Sequence, residues 1–467
     1  MNLYEELAEH VAALVAAGML RAGERLPSVR QMCRDRRVSV ATVTHAYQLL
    51  EARGIIESRP QSGHYVAARA RTKARPSRSR AVRSTRVDVS ELVFEILDAA
   101  RDRAAVPLGS AFPSPLLFPW EKLARDLGSA ARHMDPWSTV ESLPPGSAEL
   151  RRQISRRYLR FGIRVLADEI VITNGALEAL NLSLQAVTKP GDAVAIESPS
   201  FYACLQAIES LGLRAVEVRT DPREGVDLGA LEQAIDSHRV RACWFMTTFQ
   251  NPLGATMPDE KKRDLVRLLE SRDVPLIEDD VYAELYFSTR RPRSAKSFET
   301  KGLVLHCGSF SKCLAPGYRL GWVAGGRFER DIQRRKVMTS LSTSLPIQDG
   351  IARFLRHGGY DAHLKELRSA LAGQQAALLK CVRETWRREH LVARPDGGYF
   401  VWLELPPAVD CLKLHGLALD NGISIAPGPI FSPRREFRNC VRLNCGHPWN
   451  DELERAVRRL GRLVESA

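Results

Sequence analysis

Short apolar runs rich in β-branched residues alternate with helical stretches from about residue 89 onward, and this alternation constrains the fold most strongly. Six such runs read EIVIT, AVAIES, ACWFMTT, VPLIEDD, GLVLHCGS and LGWVAGG, at residues 169–173, 193–198, 242–248, 274–280, 302–309 and 320–326. Strands that alternate with helices predict βαβ units around a mostly parallel sheet. The fold class predicted for this region is therefore α/β.

The last part of the chain has a different pattern. GGYFVWLEL at 397–405 and CVRLNCG at 440–446 alternate apolar and polar residues, as half-buried strands do. We therefore expect a smaller α+β lobe over roughly residues 340–467. The whole chain of 467 residues is too long for one hydrophobic core, so it predicts two or three domains.

Positive charge is concentrated near the N-terminus. Residues 1–86 hold 16 Lys and Arg against 7 Asp and Glu, so most of the net charge of +13 lies in less than a fifth of the chain. Within that part, residues 68–88 are rich in Arg, Ser and Ala and have almost no large apolar side chains. Such a segment cannot bury a core and indicates a basic flexible linker. The predicted domains are residues 1–67 and 89–467, joined by this linker.

The first 67 residues predict three helices followed by a hairpin. The third helix, VATVTHAYQLLEA, begins after Ser39, a good N-cap residue, and is stopped by Gly54. Its small polar residues Thr42, Thr44 and His45 lie on one side, one turn after another helix, which is typical of a helix-turn-helix.

The hairpin, GIIESRPQSGHYVAA, predicts a basic wing in which Arg59 and His64 meet DNA phosphates. The alternative is a small helical subdomain whose charges are only solvated. The wing, the basic linker and the charge asymmetry together favour binding of double-stranded DNA.

The nine cysteines argue against a disulfide framework or a zinc site, because they are odd in number, scattered and without a CxxC pair. We expect no metal, and a reducing compartment fits best. No run approaches 18 apolar residues, and the N-terminus lacks the basic and apolar regions of a signal peptide. The expected location is therefore the cytoplasm, with no membrane segment.

One lysine lies in an unusual setting, the segment SFSKCLAPGYRLGW at 309–322. Apolar burial and a nearby cation such as Arg319 would lower the pKa of Lys312 and make its amine a nucleophile toward a carbonyl. Ser309 and Ser311 can donate hydrogen bonds to phosphate oxygens. A reactive lysine beside a phosphate clamp suggests pyridoxal 5′-phosphate (PLP), an aldehyde with a phosphate group.

Other parts of the chain supply the groups that PLP needs. Asp279 ends an apolar run and can pair with the pyridine nitrogen, while Tyr282 and Asn251 can reach the ring oxygen. ITNGALEAL predicts a strand that turns at a glycine into a helix, where backbone N–H groups hold phosphate. The backbone groups belong to Gly175, Ala176 and Leu177. The candidate ring-stacking residue is Phe201 or Tyr202, and the candidate carboxylate anchor is Arg442.

Each of these residues also has an ordinary explanation. A carboxylate at a strand end is often a loop cap, a glycine often serves only a turn, and an arginine in a late strand is usually in a surface ion pair. Six candidate groups in order, each at the expected strand end, favour a cofactor site over coincidence.

The N-terminal 67 residues resemble the winged helix of GntR-family transcription factors, through LYEELAEHV, AGERLPSVRQM, VSVATVTHAYQLLEARGII and SGHYV. The resemblance implies DNA contacts from the turn serine and the recognition helix. It assigns them to Arg30, Ser39, Thr42, Thr44 and His45. The family usually has a basic residue after the turn serine, whereas this chain has Val40.

Residues from about 105 to 465 resemble a fold-type I aminotransferase of the aspartate aminotransferase superfamily. Together with the winged helix, the chain resembles the MocR-type regulators, and among them the YdcR-type members. The resemblance implies that Lys312 forms the internal aldimine of PLP and that Arg442 binds a substrate carboxylate. It also implies a homodimer and a paired half-site operator. Related domains often place a partner-subunit tyrosine on the phosphate, but TVESLPPGSAELR at 139–151 contains none.

Two functions from different classes are consistent with this sequence. The first is a DNA-binding transcriptional regulator that senses PLP, or the PLP adduct of an amino acid or amine effector, through the Schiff base at Lys312. The second is an active PLP-dependent aminotransferase with an accessory DNA-binding domain. The DNA-binding module favours the regulator. The sequence does not identify the effector or the operator.

Overall fold

The structure is a computed structural model that describes residues 3–16, 19–20, 23–59, 62–67, 84–86, 89–99, 105–141, 143–386, 390–392 and 394–467. The chain divides into two compact units, Met1–Ala74 and Arg75–Ala467. Most of the predicted linker lies outside the described residues.

The N-terminal unit contains three helices and a two-stranded antiparallel sheet. These are α1 (Leu3–Ala16), α2 (Val29–Arg36), α3 (Val40–Ala52), β1 (Ile56–Arg59) and β2 (Gly63–Val66). Ser28 and Ser39 are the N-caps of α2 and α3, and the side chain of each accepts a hydrogen bond from a backbone N–H in the first turn. Gly54 follows α3 with a φ of +64°.

The three helices and the hairpin enclose one small core. Its buried side chains come from every element: Leu7, Ala8, Val11, Leu26, Met32, Val43, Ala46, Tyr47, Leu50, Ile56 and Val66. The apolar spacing in α3 turns one face of that helix inward and leaves the other face in solvent.

The second unit holds thirteen further helices among the described residues. They are α4 (Ser90–Ala99), α5 (Trp120–Arg132), α6 (Ser138–Glu141), α7 (Ala148–Arg160), α8 (Ala176–Val187), α9 (Tyr202–Ser210), α10 (Leu228–His238), α11 (Asp259–Arg272), α12 (Glu329–Thr339), α13 (Leu345–Arg356), α14 (Gly359–Thr385), α15 (Cys411–Leu419) and α16 (Asp451–Val464).

A large mixed sheet forms the centre of this unit. Its strands are β3 (Ser84–Arg86), β4 (Ile170–Thr173), β5 (Ala193–Ser198), β6 (Arg214–Asp221), β7 (Gly225–Val226), β8 (Val240–Phe245), β9 (Leu276–Asp279), β10 (Val304–Ser309) and β11 (Gly321–Ala324). The order is β3-β6-β5-β8-β9-β10-β11-β4, with β7 paired to β6. The five strands from β6 to β10 are parallel, whereas β11 is antiparallel to both its neighbours.

Both faces of the sheet are covered. Along β5, Val194 and Ile196 pack on one side with residues of α8 and α9, whereas Ala193 and Ala195 pack on the other side with residues of α10 and α11. Strands buried on both faces are continuous apolar runs, which is why the sequence signals them clearly. The predicted α/β fold class and all six predicted strands are confirmed.

Strands β3 and β6 were absent from the sequence prediction. Strand β6 begins and ends with charged residues, and an exposed Arg219 interrupts its apolar pattern. Strand β3 falls inside the predicted linker and pairs antiparallel with β6 at the edge of the sheet. The backbone of residues 84–86 therefore belongs to the large sheet.

The small lobe carries a four-stranded antiparallel sheet in the order β12-β13-β15-β14. The strands are β12 (Leu391–Val392), β13 (Phe400–Glu404), β14 (Ala426–Pro427) and β15 (Cys440–Asn444). The segment before α5 joins this lobe, because Val106 bridges to Ile423 and Asn444 N–H donates to Leu108 O. None of the described helices is long and apolar enough to cross a membrane.

Candidate functional site

Polar side chains lie where three strands of the large sheet end. Thr173 ends β4, Asp279 ends β9 and Ser309 ends β10. In open α/β sheets, ligands bind in the crevice outside the carboxyl ends of the strands. The predicted cofactor residues fall at this edge of the sheet and on the strand of the small lobe that faces it.

Lys312 is half-buried, three residues beyond the end of β10. Its Nζ donates to Ala111 O at 2.8 Å and lies 3.9 Å from the centre of the Phe112 ring. Burial, with the positive charges of Arg442 and Arg319, lowers the pKa of Lys312 to about 7. A large share of the amine is therefore neutral at physiological pH, as a nucleophile toward an aldehyde requires.

Asp279 is 1% exposed, and its Oδ1 has no hydrogen-bond partner. Burial, with the negative charge of neighbouring Asp280, raises the pKa of Asp279 to about 7, although Lys312 and His306 oppose the change. A buried carboxylate oxygen without a partner costs free energy unless a ligand satisfies it. A protonated ring nitrogen is the kind of donor that this oxygen lacks.

Asn251 and Arg442 form one buried pair. Arg442 Nη1 donates to Asn251 Oδ1 at 3.0 Å, which fixes the amide and leaves Asn251 Nδ2 without a partner. That free N–H₂ group is a donor suited to the ring oxygen of PLP. The amide is oriented by a residue 191 positions away in the sequence.

Arg442 is a cation with no acidic neighbour among the described residues. Its Nη2 donates to the carbonyls of Gly109 and Ser110, and its guanidinium lies 4.1 Å from the centre of the Phe400 ring. Within the part of the chain that the structure describes it makes no ion pair, its Nε lacks a hydrogen-bond partner, and burial lowers its pKa. An unpaired buried arginine is well suited to bind a carboxylate in bidentate geometry.

Tyr282 is buried between the two lobes of this unit. Its ring lies 5.6 Å from the rings of Tyr399 and Phe400, and burial raises its pKa. The hydroxyl therefore stays protonated at neutral pH and can donate a hydrogen bond. This state agrees with the predicted role of Tyr282 at the ring oxygen.

The turn between β4 and α8 forms a close-packed cradle with Arg319. Gly175 has a φ of +83°, and a Cβ atom there would lie 2.6 Å from Arg319 Nη2. The N–H of Gly175 already donates to Thr173 O at 2.9 Å, so it is less available than the sequence predicted. Ala176 and Leu177 provide the N–H groups of the first turn of α8, a position that favours anions.

Two serines extend this cradle. Ser309 Oγ lies 2.9 Å from Ser311 Oγ and 3.0 Å from Leu320 O. Arg319 Nη1 donates to Ser311 Oγ at 3.4 Å. The guanidinium, the hydroxyls and the start of α8 therefore come together, as a phosphate site requires.

We predict that Gly175→Ala weakens PLP binding to the apoprotein by roughly tenfold or more, because the new methyl group displaces Arg319 from the cradle. An absorbance titration with PLP measures the change. Gly162→Ala is the matched control, since Gly162 also has a positive φ, +70°, but no atom lies within 4 Å of its added Cβ. Equal losses in the two variants would mean that backbone strain, not the displaced arginine, causes the effect.

Phe201 and Tyr202 differ in their surroundings. Tyr202 is buried, lies 5.9 Å from the Phe431 ring and interacts with Arg442. Phe201 is half-buried at the N-terminus of α9. Of the two candidates, Phe201 remains the predicted ring-stacking residue, and Tyr202 supports the guanidinium.

The sequence prediction missed the segment 109–112. Its backbone carbonyls accept hydrogen bonds from Arg442, Lys312 and the hydroxyl of Tyr399. Backbone carbonyls leave no signal in residue identity. Gly109 is the single clue, because a Cβ there would lie 2.7 Å from the backbone of Ile425.

A buried hydrogen-bond chain runs behind Asp279. The Trp322 indole N–H only donates, so Tyr158 OH accepts from it at 2.9 Å and donates to His306 Nδ1 at 2.7 Å. His306 Nε2–H then donates to Asp280 Oδ2 at 3.0 Å, which Arg291 also contacts at 2.8 Å. Against the effect of burial, Arg291 and His306 lower the pKa of Asp280 and keep it ionised.

The residues present fit PLP. Asp279 Oδ1 and Asn251 Nδ2 are buried atoms without partners, and the Gly175 cradle would be filled by a Cβ. Bound PLP supplies an aldehyde for condensation with amines and a ring that withdraws electrons when its nitrogen is protonated.

The described residues bring together no cluster of His, Cys, Asp or Glu that could hold a metal ion.

The N-terminal unit places its predicted DNA contacts unevenly. Arg30 is exposed in the first turn of α2 and Thr44 is half-exposed on α3. His45 lies on the side of α1, with its ring 5.7 Å from the Tyr4 ring, and His64 lies 4.8 Å from the Tyr47 ring. The backbone of Arg59 lies in β1, and its side chain is outside the described part of the chain.

The two units thus define a class of protein, a helix-turn-helix domain joined to a PLP-type α/β enzyme fold. Residues 3–66 match the family Bacterial regulatory proteins, gntR family, and residues 132–460 match Aminotransferase class I and II. The chain belongs to the class I and II aminotransferase family and carries a gntR-family DNA-binding domain at its N-terminus. That aminotransferase family is PLP-dependent, so the predicted cofactor is confirmed.

Full-length relatives share this arrangement. The chain is 47% identical over 465 residues to the uncharacterized HTH-type transcriptional regulator YdcR of Escherichia coli K12, covering 100% of this chain and 99% of the relative. It is 36% identical to the uncharacterized HTH-type transcriptional regulator YjiR of the same organism, with both chains fully covered. The predicted resemblance to regulators of this type is confirmed.

Solved aminotransferases share the fold of the second unit. The multiple substrate aminotransferase of Thermococcus profundus has a TM-score of 0.75 and 27% identity, over 81% of this chain and 95% of its own. LysN, the α-aminoadipate aminotransferase of Thermus thermophilus, has a TM-score of 0.74 and 28% identity, over 82% of this chain and 96% of its own. That structure contains N-(5′-phosphopyridoxyl)-L-leucine.

Proposed function

We propose that this protein is a transcriptional regulator that binds operator DNA through its N-terminal unit and senses an amino acid or amine at PLP held by its second unit. The observation that supports sensing best is Arg442, a buried cation without an acidic partner among the described residues, held 3.0 Å from Asn251 Oδ1. An effector with a carboxylate would pair with it. An operator-binding protein of this kind acts in the cytoplasm.

Each residue of the site then has a chemical task. Lys312 is the amine that holds PLP, and its lowered pKa, about 7, keeps a share of it neutral. Asp279 holds the proton at the ring nitrogen, and Asn251 and Tyr282 hold the ring oxygen. Arg442 orients an incoming carboxylate so that the amine of the effector approaches the aldehyde carbon.

Sensing requires that the effector stabilise one arrangement of the regulator more than another. When PLP does not hold the amine of Lys312, that amine can donate to the carbonyl of Ala111, as it does in the structure. The segment 109–112 belongs to the small lobe, so occupancy of Lys312 is coupled to the position of that lobe. We propose this coupling as the start of the signal to the DNA-binding unit.

We also propose that the protein is a homodimer. Exposed apolar side chains lie near the start of α8 and the end of α12. These two helices are joined by an ion pair between Lys336 of α12 and Glu178 of α8 at 2.8 Å. Leu177 at the start of α8 is exposed, and so are Val337 and Met338 at the end of α12 and Leu341 just after it. Exposed apolar groups of this kind favour a second copy. Sedimentation at micromolar concentration measures the state, and a monomer there would contradict the proposal.

The test of sensing follows the cofactor spectrum and DNA retardation in the same titrations. The full-length PLP protein is mixed with each amino acid, using a duplex selected by the protein from a random DNA pool. We expect one amino acid to change both signals with the same half-saturating concentration. A spectral change without any change in DNA affinity would contradict sensing.

An active aminotransferase is the second candidate, and the closeness of Asp279 and Arg442 to Lys312 supports it. The same titration separates the two functions. With a second keto acid added as the amino-group acceptor, release of more than one keto acid per PLP, with unchanged DNA affinity, would support the enzyme. A lasting spectral change without keto-acid release would support the sensor.

A further inference from the structure

The first turn of α3 presents an exposed apolar side chain. Val40 is the first residue of the helix, and this apolar residue is 60% exposed. Its neighbour Ala41 is exposed as well. The opposite face of the helix holds Val43, Ala46 and Tyr47, which are buried in the core. Val40 therefore contributes nothing to this core and faces outward.

The hydroxyl groups beside Val40 are already engaged. Ser39 Oγ accepts from Thr42 N–H at 3.1 Å and lies 2.8 Å from Thr42 Oγ1. The Ser39 hydroxyl caps the helix and the two hydroxyls bond to each other, so the leading edge of α3 is mainly a surface of methyl groups. A polar base edge facing Val40 would lose its hydrogen bonds to water and gain none.

The helix that precedes Val40 is basic, with four exposed arginines against one exposed acidic residue, Asp35. Arg30, Arg34, Arg36 and Arg37 are all exposed on or directly after α2, the helix that precedes α3. Exposed arginines in this number suit the phosphates that flank a major groove. The charge pattern therefore selects DNA, rather than another apolar protein surface, as the group that covers Val40.

We infer that Val40 reads the C5-methyl group of a thymine in the major groove of the operator. This inference rests on the proposed DNA-binding function and adds a base preference to it. The thymine methyl is the apolar group among the base edges exposed in the major groove of unmodified DNA. A valine there favours a T·A pair and rejects the hydrogen-bonding edges of guanine and cytosine. Each half-site then contains one thymine whose methyl group touches α3.

The test removes the methyl group from the DNA and the side chain from the protein. A duplex selected by the full-length protein is remade with single thymines replaced by deoxyuracil, which lacks only the C5-methyl. We expect one replacement per half-site to weaken binding by about fourfold, the value of one buried methyl group. Val40→Ala should bind the thymine duplex more weakly and lose this sensitivity to uracil.

Leu3→Ala is the control variant, since Leu3 is also an exposed apolar residue, 65% exposed, but lies on α1. It should keep the uracil effect of the unchanged protein. Equal uracil effects in the Val40→Ala and unchanged proteins would overturn the inference while leaving DNA binding intact. Selection of no duplex at all would instead contradict the proposed DNA-binding function.

Discussion

Lys312→Ala is expected to abolish the covalent attachment of PLP completely. In the unchanged protein, borohydride reduction should fix the cofactor to Lys312, with a matching mass increase in the peptide that contains it. The reason is the lowered pKa of the Lys312 amine. An ordinary lysine with a pKa near 10.4 is neutral in fewer than about one molecule in a thousand at pH 7. Lys312 has a pKa of about 7, so a large fraction of it is ready to react.

The control for this experiment is Lys365→Ala, which removes an exposed lysine from α14. It should retain the full reduced adduct. Lys312→Arg adds a second comparison, because it keeps a positive charge but has no nucleophilic amine. Both Lys312 variants should also lose any response of DNA binding to amino acids. A reduced adduct of equal yield in Lys312→Ala would contradict the assignment of this lysine.

Arg442→Gln is expected to weaken the binding of amino acids by about tenfold to a hundredfold, the usual cost of losing hydrogen bonds to a charged group. Amines without a carboxylate should bind the variant as well as the unchanged protein. Arg442 is 1% exposed and has no acidic partner among the described residues, so a ligand carboxylate is its natural counter-ion. Spectral titration with matched amino acid and amine pairs measures both effects.

Arg442→Gln should have a second measurable effect, on the pKa of Lys312. Arg442 is among the charges that lower the pKa of Lys312, so Arg442→Gln should raise that pKa. Arg442→Lys keeps the charge but not the bidentate geometry, and should leave the pKa of Lys312 nearer its original value. Arg438→Gln is the control for a surface arginine just before β15. Equal losses for amines and amino acids in Arg442→Gln would argue against a carboxylate site.

Much of the site was visible in the sequence because its residues follow the ends of apolar strands. Asp279 and Ser309 end β9 and β10, and Gly175 follows β4, as the apolar runs predicted. Parallel strands in a doubly covered sheet are apolar along their whole length, and their carboxyl ends meet at one edge. The spacing of these residues therefore predicted their meeting. The assignments of individual side chains to PLP and to DNA remain predictions.

Other features could not be predicted in this way. Strand β6 was missed because charged residues interrupt its apolar pattern. The chain from Trp322 through Tyr158 and His306 to Asp280 was missed because its members lie up to 164 positions apart. Such long-range partners leave no periodicity, since their contact depends on how whole elements pack.

The sequence alone predicted a basic winged helix and a separate α/β unit with a glycine turn, an aspartate and a lysine in that order along the chain. Those are local properties, set by periodicity, capping and turn residues. The sequence also predicted that burial and Arg319 lower the pKa of Lys312. Only the tertiary structure decided that Arg442, which lacks an acidic partner among the described residues, adds its charge to this effect. Charge proximity acts through space, so a linear pattern does not contain partners that are distant in the sequence.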